Sequence, residues 1–159
     1  MNKRKIISVL GKIILTEVLL MIPALLVSLI YQDGDAPAFL ITILLSGAVG
    51  LMCTFVKQSD RRMSSRDGYF IVATAWIVIS LIGAVPLYLG GGFGSYFNAL
   101  FEIVSGFTTT GASVLSNPEN LGHGVLFWRS FTHWIGGMGV LVFVLMVMPM
   151  ENDNSMHLV

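Results

Sequence analysis

The sequence predicts an all-α polytopic membrane protein, in which a two-helix hairpin precedes a helix–re-entrant pore loop–helix unit. Only 11% of the 159 residues are charged, against about 25% in an ordinary soluble domain, and the mean hydropathy is +0.80. The charges are also clustered, because residues 36–56, 68–101 and 130–150 contain no Asp, Glu, Lys or Arg. Each stretch can supply the roughly 20 apolar residues that cross a bilayer core as a helix.

The hairpin is predicted over residues 6–31 and 36–56. Its basic start is similar to that of a signal peptide, but the apolar stretch is longer than a typical signal core and ends without a small-residue cleavage site. We therefore expect a retained helix. A third span over 69–89 and a fourth long segment over 125–149 enclose a shorter apolar segment, 96–107. As a helix, this segment would be about 18 Å long and would cross half of the membrane core.

Lys and Arg residues collect at the N-terminus and in the loop between the second and third spans, whereas the turn at 32–35 has none. The residues are Lys3, Arg4, Lys5, Lys57, Arg61, Arg62 and Arg66. Because short cytoplasmic loops are rich in Lys and Arg, we expect the N-terminus and this loop to be cytoplasmic, with the protein in the plasma membrane. The short segment must then enter and leave from the outside, which is tolerated only where protein or a water-filled cavity surrounds the backbone.

The predicted organisation has three parts. Residues 1–66 form the leading hairpin and its cytoplasmic loop, residues 67–150 form the helix–pore loop–helix unit, and residues 151–159 form a cytoplasmic tail. Ser95 is a candidate N-cap for the short helix.

The segment SGFTTTGAS follows the short helix and predicts an ion-binding site. The helix would direct its negative dipole end into the membrane, which favours a cation. The β-branched Thr108, Thr109 and Thr110 favour extended backbone, so that their carbonyl oxygens can replace the hydration shell of an ion. Gly111 can adopt a positive φ or allow a close backbone approach. These four residues are the predicted selectivity filter, and the residues alone indicate only a cation.

Two carboxylates lie within predicted membrane segments. Glu102, on the short helix, is predicted to brace the filter by accepting hydrogen bonds from backbone N–H groups or from Ser105; the alternative is a charge that reaches outward to solvent. Glu17 is expected near the cytoplasmic end of the first span, where it pairs with Lys12 or extends to the interface. No Lys or Arg lies between Glu102 and Glu119.

Three glycines in the last helix, Gly136, Gly137 and Gly139, have two interpretations. They allow close packing of helices, or they form a flexible point that assists gating. An enzyme is not predicted, because the sequence has no metal-ligand spacing and no nucleophile–base signature. No cofactor is expected, and a balanced net charge argues against nucleic acid as a partner.

Four segments resemble the N-terminal part of a Trk/Ktr-type potassium-uptake membrane subunit: RDGYFIVATAW, GAVPLYLGG, YFNALFEIVSGFTTTGASVL and HGVLFWRSFTHWIGGMGVLVFVLMVMP. The two leading helices resemble the Trk-type branch. The resemblance implies four consecutive helix–pore loop–helix units around one potassium pathway, with potassium as the substrate at Thr108, Thr109, Thr110 and Gly111. It also implies a cytoplasmic nucleotide-binding regulatory ring as partner. Asn98 departs from the acidic residue often present before the pore helix.

One unit cannot surround an ion. The remaining units must come from the same chain, continued beyond this segment, or from identical copies of it. The alternative interpretation is a non-conducting membrane scaffold or pore fragment, which would tolerate substitution of Gly111.

Overall fold

The computed structural model describes residues 3–56 and 65–147. These residues form five α-helices and a short 3-10 helix, and they contain no strand. The helices are α1 (Lys3–Tyr31), α2 (Ala36–Thr54), α3 (Ser65–Leu89), α4 (Tyr96–Phe107) and α5 (His123–Val147), and the 3-10 helix is Pro118–Asn120. The all-α prediction is confirmed, and each predicted segment corresponds to one helix. The predicted tail at 151–159 and most of the predicted loop at 57–67 lie outside the described residues.

Three of the described helices are long and apolar enough to cross a membrane, namely Arg4–Tyr31, Ala36–Thr54 and Asp67–Leu89. The polarity of α2 fits a lipid environment. Apart from Phe39, its buried residues are small or polar, namely Ala38, Thr42, Ser46 and Gly50, whereas Leu44 is 69% exposed. The buried hydroxyls are satisfied within the helix, since Thr42 donates to Ala38 O at 2.8 Å. Small inward residues and large apolar outward residues are typical of helices that pack in lipid.

The short helix α4 lies between two long ones and contacts both α3 and α5, while α1 contacts α2, α3 and α5. The apolar core forms where these helices meet. It includes Met21, Ala24, Phe39, Ala84, Leu87, Phe93, Ala99, Ile103, Phe107, Leu121, Val125 and Trp128. The core therefore surrounds the buried side of α4, including its last residue, and leaves the segment that follows this helix at the surface.

Two aspartates of the α1–α2 turn hold the start of α5. The His123 N–H donates to Asp33 Oδ2 at 2.7 Å, and the Val125 N–H donates to Asp35 Oδ2 at 3.1 Å. The first N–H groups of a helix lack partners within the helix, and its positive dipole end favours carboxylates. The hydrogen bonds from His123 also hold the pKa of Asp33 below its usual value. The leading hairpin thus fixes the position at which α5 begins.

The start of α4 is capped as the sequence predicts. Ser95 has extended backbone, with φ −150° and ψ 145°, and its side chain accepts a hydrogen bond from the Phe97 N–H at 3.1 Å. The Tyr96 hydroxyl donates to Leu81 O of α3 at 2.7 Å. The cap and this contact fix where α4 starts and how it lies against α3.

The expectation for Glu17 is wrong. Glu17 lies at the midpoint of α1, is only 4% exposed, and has no hydrogen-bond partner for either carboxylate oxygen among the described residues. Glu17 therefore neither pairs with Lys12 nor reaches the surface. It lines a pocket together with Phe107 of α4 and Trp128 of α5.

Candidate functional site

The C-terminal end of α4 is closed by a backbone motif. Thr109 N–H donates to Gly106 O at 2.9 Å, and Thr110 N–H donates to Ser105 O at 3.0 Å. This pair of hydrogen bonds is a Schellman motif, which uses a left-handed residue to end a helix. That residue here is Thr109, with φ +57°.

The backbone of the threonines differs from the extended conformation that their β-branching predicts. Thr108 is helical, with φ −82° and ψ 0°, and Thr109 is left-handed. A positive φ is rare for a β-branched residue and costs about 1–3 kcal/mol. The helix-ending hydrogen bonds impose this turn, and they outweigh the local preference of the side chain.

Residues 108–113 are all exposed and follow the C-terminal end of α4. Gly111 has φ +75°, in agreement with the prediction, and a Cβ atom added there would have no heavy atom within 4 Å. The backbone conformation therefore requires glycine at this position, whereas the space around it would accept a larger side chain. The threonine hydroxyls form local contacts, such as Thr109 Oγ1 to Thr108 O at 2.7 Å.

Glu102 lies behind this segment and is fully buried. Its Oε2 accepts hydrogen bonds from Ser113 Oγ and from the Val114 N–H, each at 3.1 Å, and its Oε1 pairs with the guanidinium of Arg129 on α5. One carboxylate thus joins α4, the segment that follows it and α5. Burial excludes the alternative of an outward-reaching charge, and the role of Glu102 in bracing an ion filter stays a prediction.

Ser105 does not donate to Glu102, which corrects one of the expected hydrogen bonds. Its hydroxyl donates to Ala112 O at 2.6 Å, and Ser113 supplies the hydroxyl that Glu102 accepts. The Ala112 carbonyl is therefore turned back toward α4. The carbonyls of residues 108–111 come before Ala112 in the chain.

Sequence reasoning missed Arg129 as the partner of Glu102. The two residues lie 27 positions apart, so no local spacing relates them. One signal was available, because Arg129 is the only Lys or Arg after Arg66 in the sequence. A single cation and a membrane-buried carboxylate are expected to pair, since either charge alone is costly in an apolar environment.

The three glycines of α5 have different surroundings. A Cβ atom added to Gly136 would lie 2.1 Å from Phe107 O, the carbonyl of the last α4 residue. At Gly137 the nearest such atom is Thr109 Cγ2, at 3.9 Å, and at Gly139 it is a ring carbon of Trp76, at 3.4 Å. Close packing therefore accounts for Gly136, whereas a role of these glycines in gating stays a prediction.

The site offers oxygen ligands without strong charges. The segment between Glu102 and Glu119 has no basic residue, and the described residues contain no cluster of three or more His, Cys, Asp or Glu side chains suited to a metal ion. What the segment presents is backbone carbonyls and threonine hydroxyls at the negative end of a helix dipole. Such groups suit a hard cation that has lost its hydration shell.

The fold and this segment define an all-helical membrane protein with an exposed, oxygen-rich segment at the end of a short, half-buried helix. A family model described as "TrkH: Cation transport protein" matches residues 35–159. The chain belongs to this family of cation transport proteins.

Individual relatives support the same family assignment. The chain is 35% identical to the Trk system potassium uptake protein TrkH of Halomonas elongata, over 99% of this chain and 33% of that protein. It is 36% identical to TrkG of Escherichia coli, over 82% of this chain and 27% of that protein. The crystal structure of the potassium transporter TrkH from Vibrio parahaemolyticus superposes with a TM-score of 0.86 at 34% identity, covering 94% of this chain and 32% of that one. The chain thus spans about a third of the length of these relatives.

Replacing Glu102 by Gln tests the buried carboxylate. We expect a loss of about 3 kcal/mol in stability, because a neutral side chain leaves Arg129 unpaired and only 20% exposed. The measurement is the unfolding midpoint of the purified complete protein. Glu119→Gln, at an exposed carboxylate, is the matched control and should stay within about 0.5 kcal/mol. Equal midpoints for the two variants would contradict the importance of the buried pair.

Replacing Gly136 by Ala tests the close approach of α5 to the end of α4. The added methyl group would collide with the Phe107 backbone, so we expect a destabilisation of about 1–3 kcal/mol, as for overpacked cores. Gly137→Ala adds the same methyl group one residue away, where only an ordinary contact forms, and should unfold close to the unmodified protein. A Gly136→Ala protein as stable as Gly137→Ala would show that the two helices are not held this closely.

Proposed function

We propose that this chain supplies the two leading helices and the first of four pore units of a potassium transporter. In this proposal the carbonyl oxygens of Thr108, Thr109, Thr110 and Gly111 form one quarter of its selectivity filter. A potassium ion loses water and is coordinated by carbonyls from all four units. Glu102 and Ser105 support the filter from behind.

The observation that carries this proposal is the exposed segment at the end of α4, in a chain of this transporter family. Residues 108–113 are exposed, yet buried side chains behind them hold the C-terminal end of the segment. Ser105 holds Ala112 O, and Glu102 holds Ser113 and Val114. An exposed backbone that is held by buried side chains is what a preorganised ion site requires.

The neighbouring surface supports the need for further units. The side of α4 away from the core exposes Phe97 at 77%, Phe101 at 48% and Val104 at 40%. These side chains lie along the helix that leads into the exposed filter segment, so additional pore units would cover them as well as complete the ring. The relatives are about three times as long as this chain, which leaves room for such units.

The choice of potassium rests on the relatives, whose names describe potassium uptake proteins. The distribution of Lys and Arg supports a cytoplasmic N-terminus and an outward-facing filter segment that re-enters the membrane. The hard oxygen ligands are compatible with potassium and, by themselves, with other monovalent cations. The plasma membrane and the regulatory ring implied by the resemblance are also part of the proposal.

Replacing Gly111 by Val tests the filter. Valine would be strained at φ +75°, and the carbonyls around it would reorient, so we expect potassium uptake to be lost. The measurement is uptake by bacteria that lack their own potassium-uptake systems and express the complete protein encoded by the gene, with its amount in the membrane measured in parallel.

Gly91→Val is the matched control. Gly91 has φ +82° and, like Gly111, no heavy atom within 4 Å of an added Cβ, so the same local strain is introduced outside the filter. This variant should retain uptake per molecule in the membrane. Undiminished uptake by Gly111→Val would contradict the filter and favour a non-conducting scaffold.

A further inference from the structure

A pocket of about 200 Å³ lies between α1, α3, α4 and α5, and none of residues 108–113 lines it. Its walls are apolar, with Ile79, Phe107 and Trp128 among the lining residues, and Glu17 and Thr16 supply its polar groups. The Thr16 hydroxyl donates to Lys12 O of its own helix at 3.0 Å. The Glu17 carboxyl is therefore the group in this pocket that has no partner within the described residues.

An ionised carboxylate is costly in such a place. Glu17 is 4% exposed and lies at the centre of a 29-residue helix, roughly 20 Å along the axis from either end. An unpaired charge in an apolar interior loses its hydration without compensation. A bound proton removes this cost, because the group becomes neutral.

No other ionisable group faces Glu17 from the walls of the pocket, among the residues described there. The ionisable groups on the four surrounding helices are placed elsewhere. On α1, Lys12 is exposed. On α4 and α5, Glu102 and Arg129 pair with each other, and His133 Nδ1 lies 3.0 Å from Arg129 O. The remaining described groups are Arg4, Lys5 and Tyr31 on α1, Asp67, Tyr69 and Tyr88 on α3, Tyr96 on α4 and His123 on α5.

Glu17 lies near the back of the short helix. A Cβ atom added to Gly83 of α3 would lie 3.2 Å from Glu17 Oε1, 3.3 Å from Ile103 Cγ2 and 3.4 Å from Phe107 Cε2. These three side chains therefore approach the same point on α3. Phe107 is the last residue of α4 and directly precedes Thr108. A negative charge here would also oppose the negative end of the α4 dipole.

We propose that Glu17 is a proton-binding site behind the filter, and that the arrangement of α4 described above requires the protonated form. Loss of the proton creates a charge beside Phe107, which draws water into the pocket or displaces the end of α4, and ion flux falls. Proton binding by Glu17 is inferred from the geometry of the pocket alone, whereas the effect on ion flux rests on the proposed function.

Infrared spectroscopy tests the proton directly. In the complete protein in lipid at neutral pH, the difference spectrum between the unmodified protein and Glu17→Gln should show the C=O stretch of a protonated carboxyl group, shifted in D2O. Glu119→Gln, at an exposed carboxylate, should show only carboxylate bands. If Glu17→Gln does not fold, Glu17→Leu gives the same comparison. A carboxylate band for Glu17, with or without a bound cation, would overturn the proposal.

The pH dependence of potassium uptake tests the coupling. In the unmodified protein, uptake should fall from neutral to alkaline pH, and Glu17→Gln, which is always neutral, should lose this Glu17-dependent fall. The same fall in both proteins would overturn the coupling. Absence of uptake in the unmodified protein at every pH would instead contradict the proposed function, and the infrared result would still decide whether Glu17 holds a proton.

Discussion

The rest of the site depends on the hydrogen bonds and the ion pair of the buried Glu102 carboxylate. It is completely enclosed, yet it is joined to a hydroxyl, a backbone N–H and the guanidinium of Arg129. A buried charge is tolerated only when such partners compensate for lost hydration. Its position therefore requires that α4, residues 113–114 and α5 come together, and the exposed backbone between them has little freedom left.

Two further constraints act on the same few residues. Gly136 lets α5 approach the carbonyl of Phe107, and the hydrogen bonds from Thr109 and Thr110 end α4 at that point. The left-handed Thr109 is a consequence of this combination. Local strain of this kind persists where the surroundings determine the backbone more strongly than the side chain does. The aspartates of the α1–α2 turn complete the arrangement by holding the start of α5.

The sequence predicts the helices, the cap at Ser95 and the positive φ of Gly111, because these features follow from local composition and from the conformational range of single residues. It does not predict the left-handed Thr109, since the hydrogen bonds that end α4 outweigh the preference of a β-branched residue for extended backbone. The pairing of Glu102 with Arg129 and the burial of Glu17 were missed for a related reason. Both depend on which helix faces cover each other, and a single sequence carries little information on how helices rotate against their neighbours.

In the proposed function, the backbone of residues 108–111 coordinates the transported ion. Anomalous scattering of rubidium, a potassium substitute, in crystals of the complete protein locates such an ion directly. We expect a rubidium peak beside the carbonyls of Thr108, Thr109, Thr110 and Gly111, on the side away from Ser105. An occupied rubidium site elsewhere in the transport pathway, with none beside these carbonyls, would contradict it.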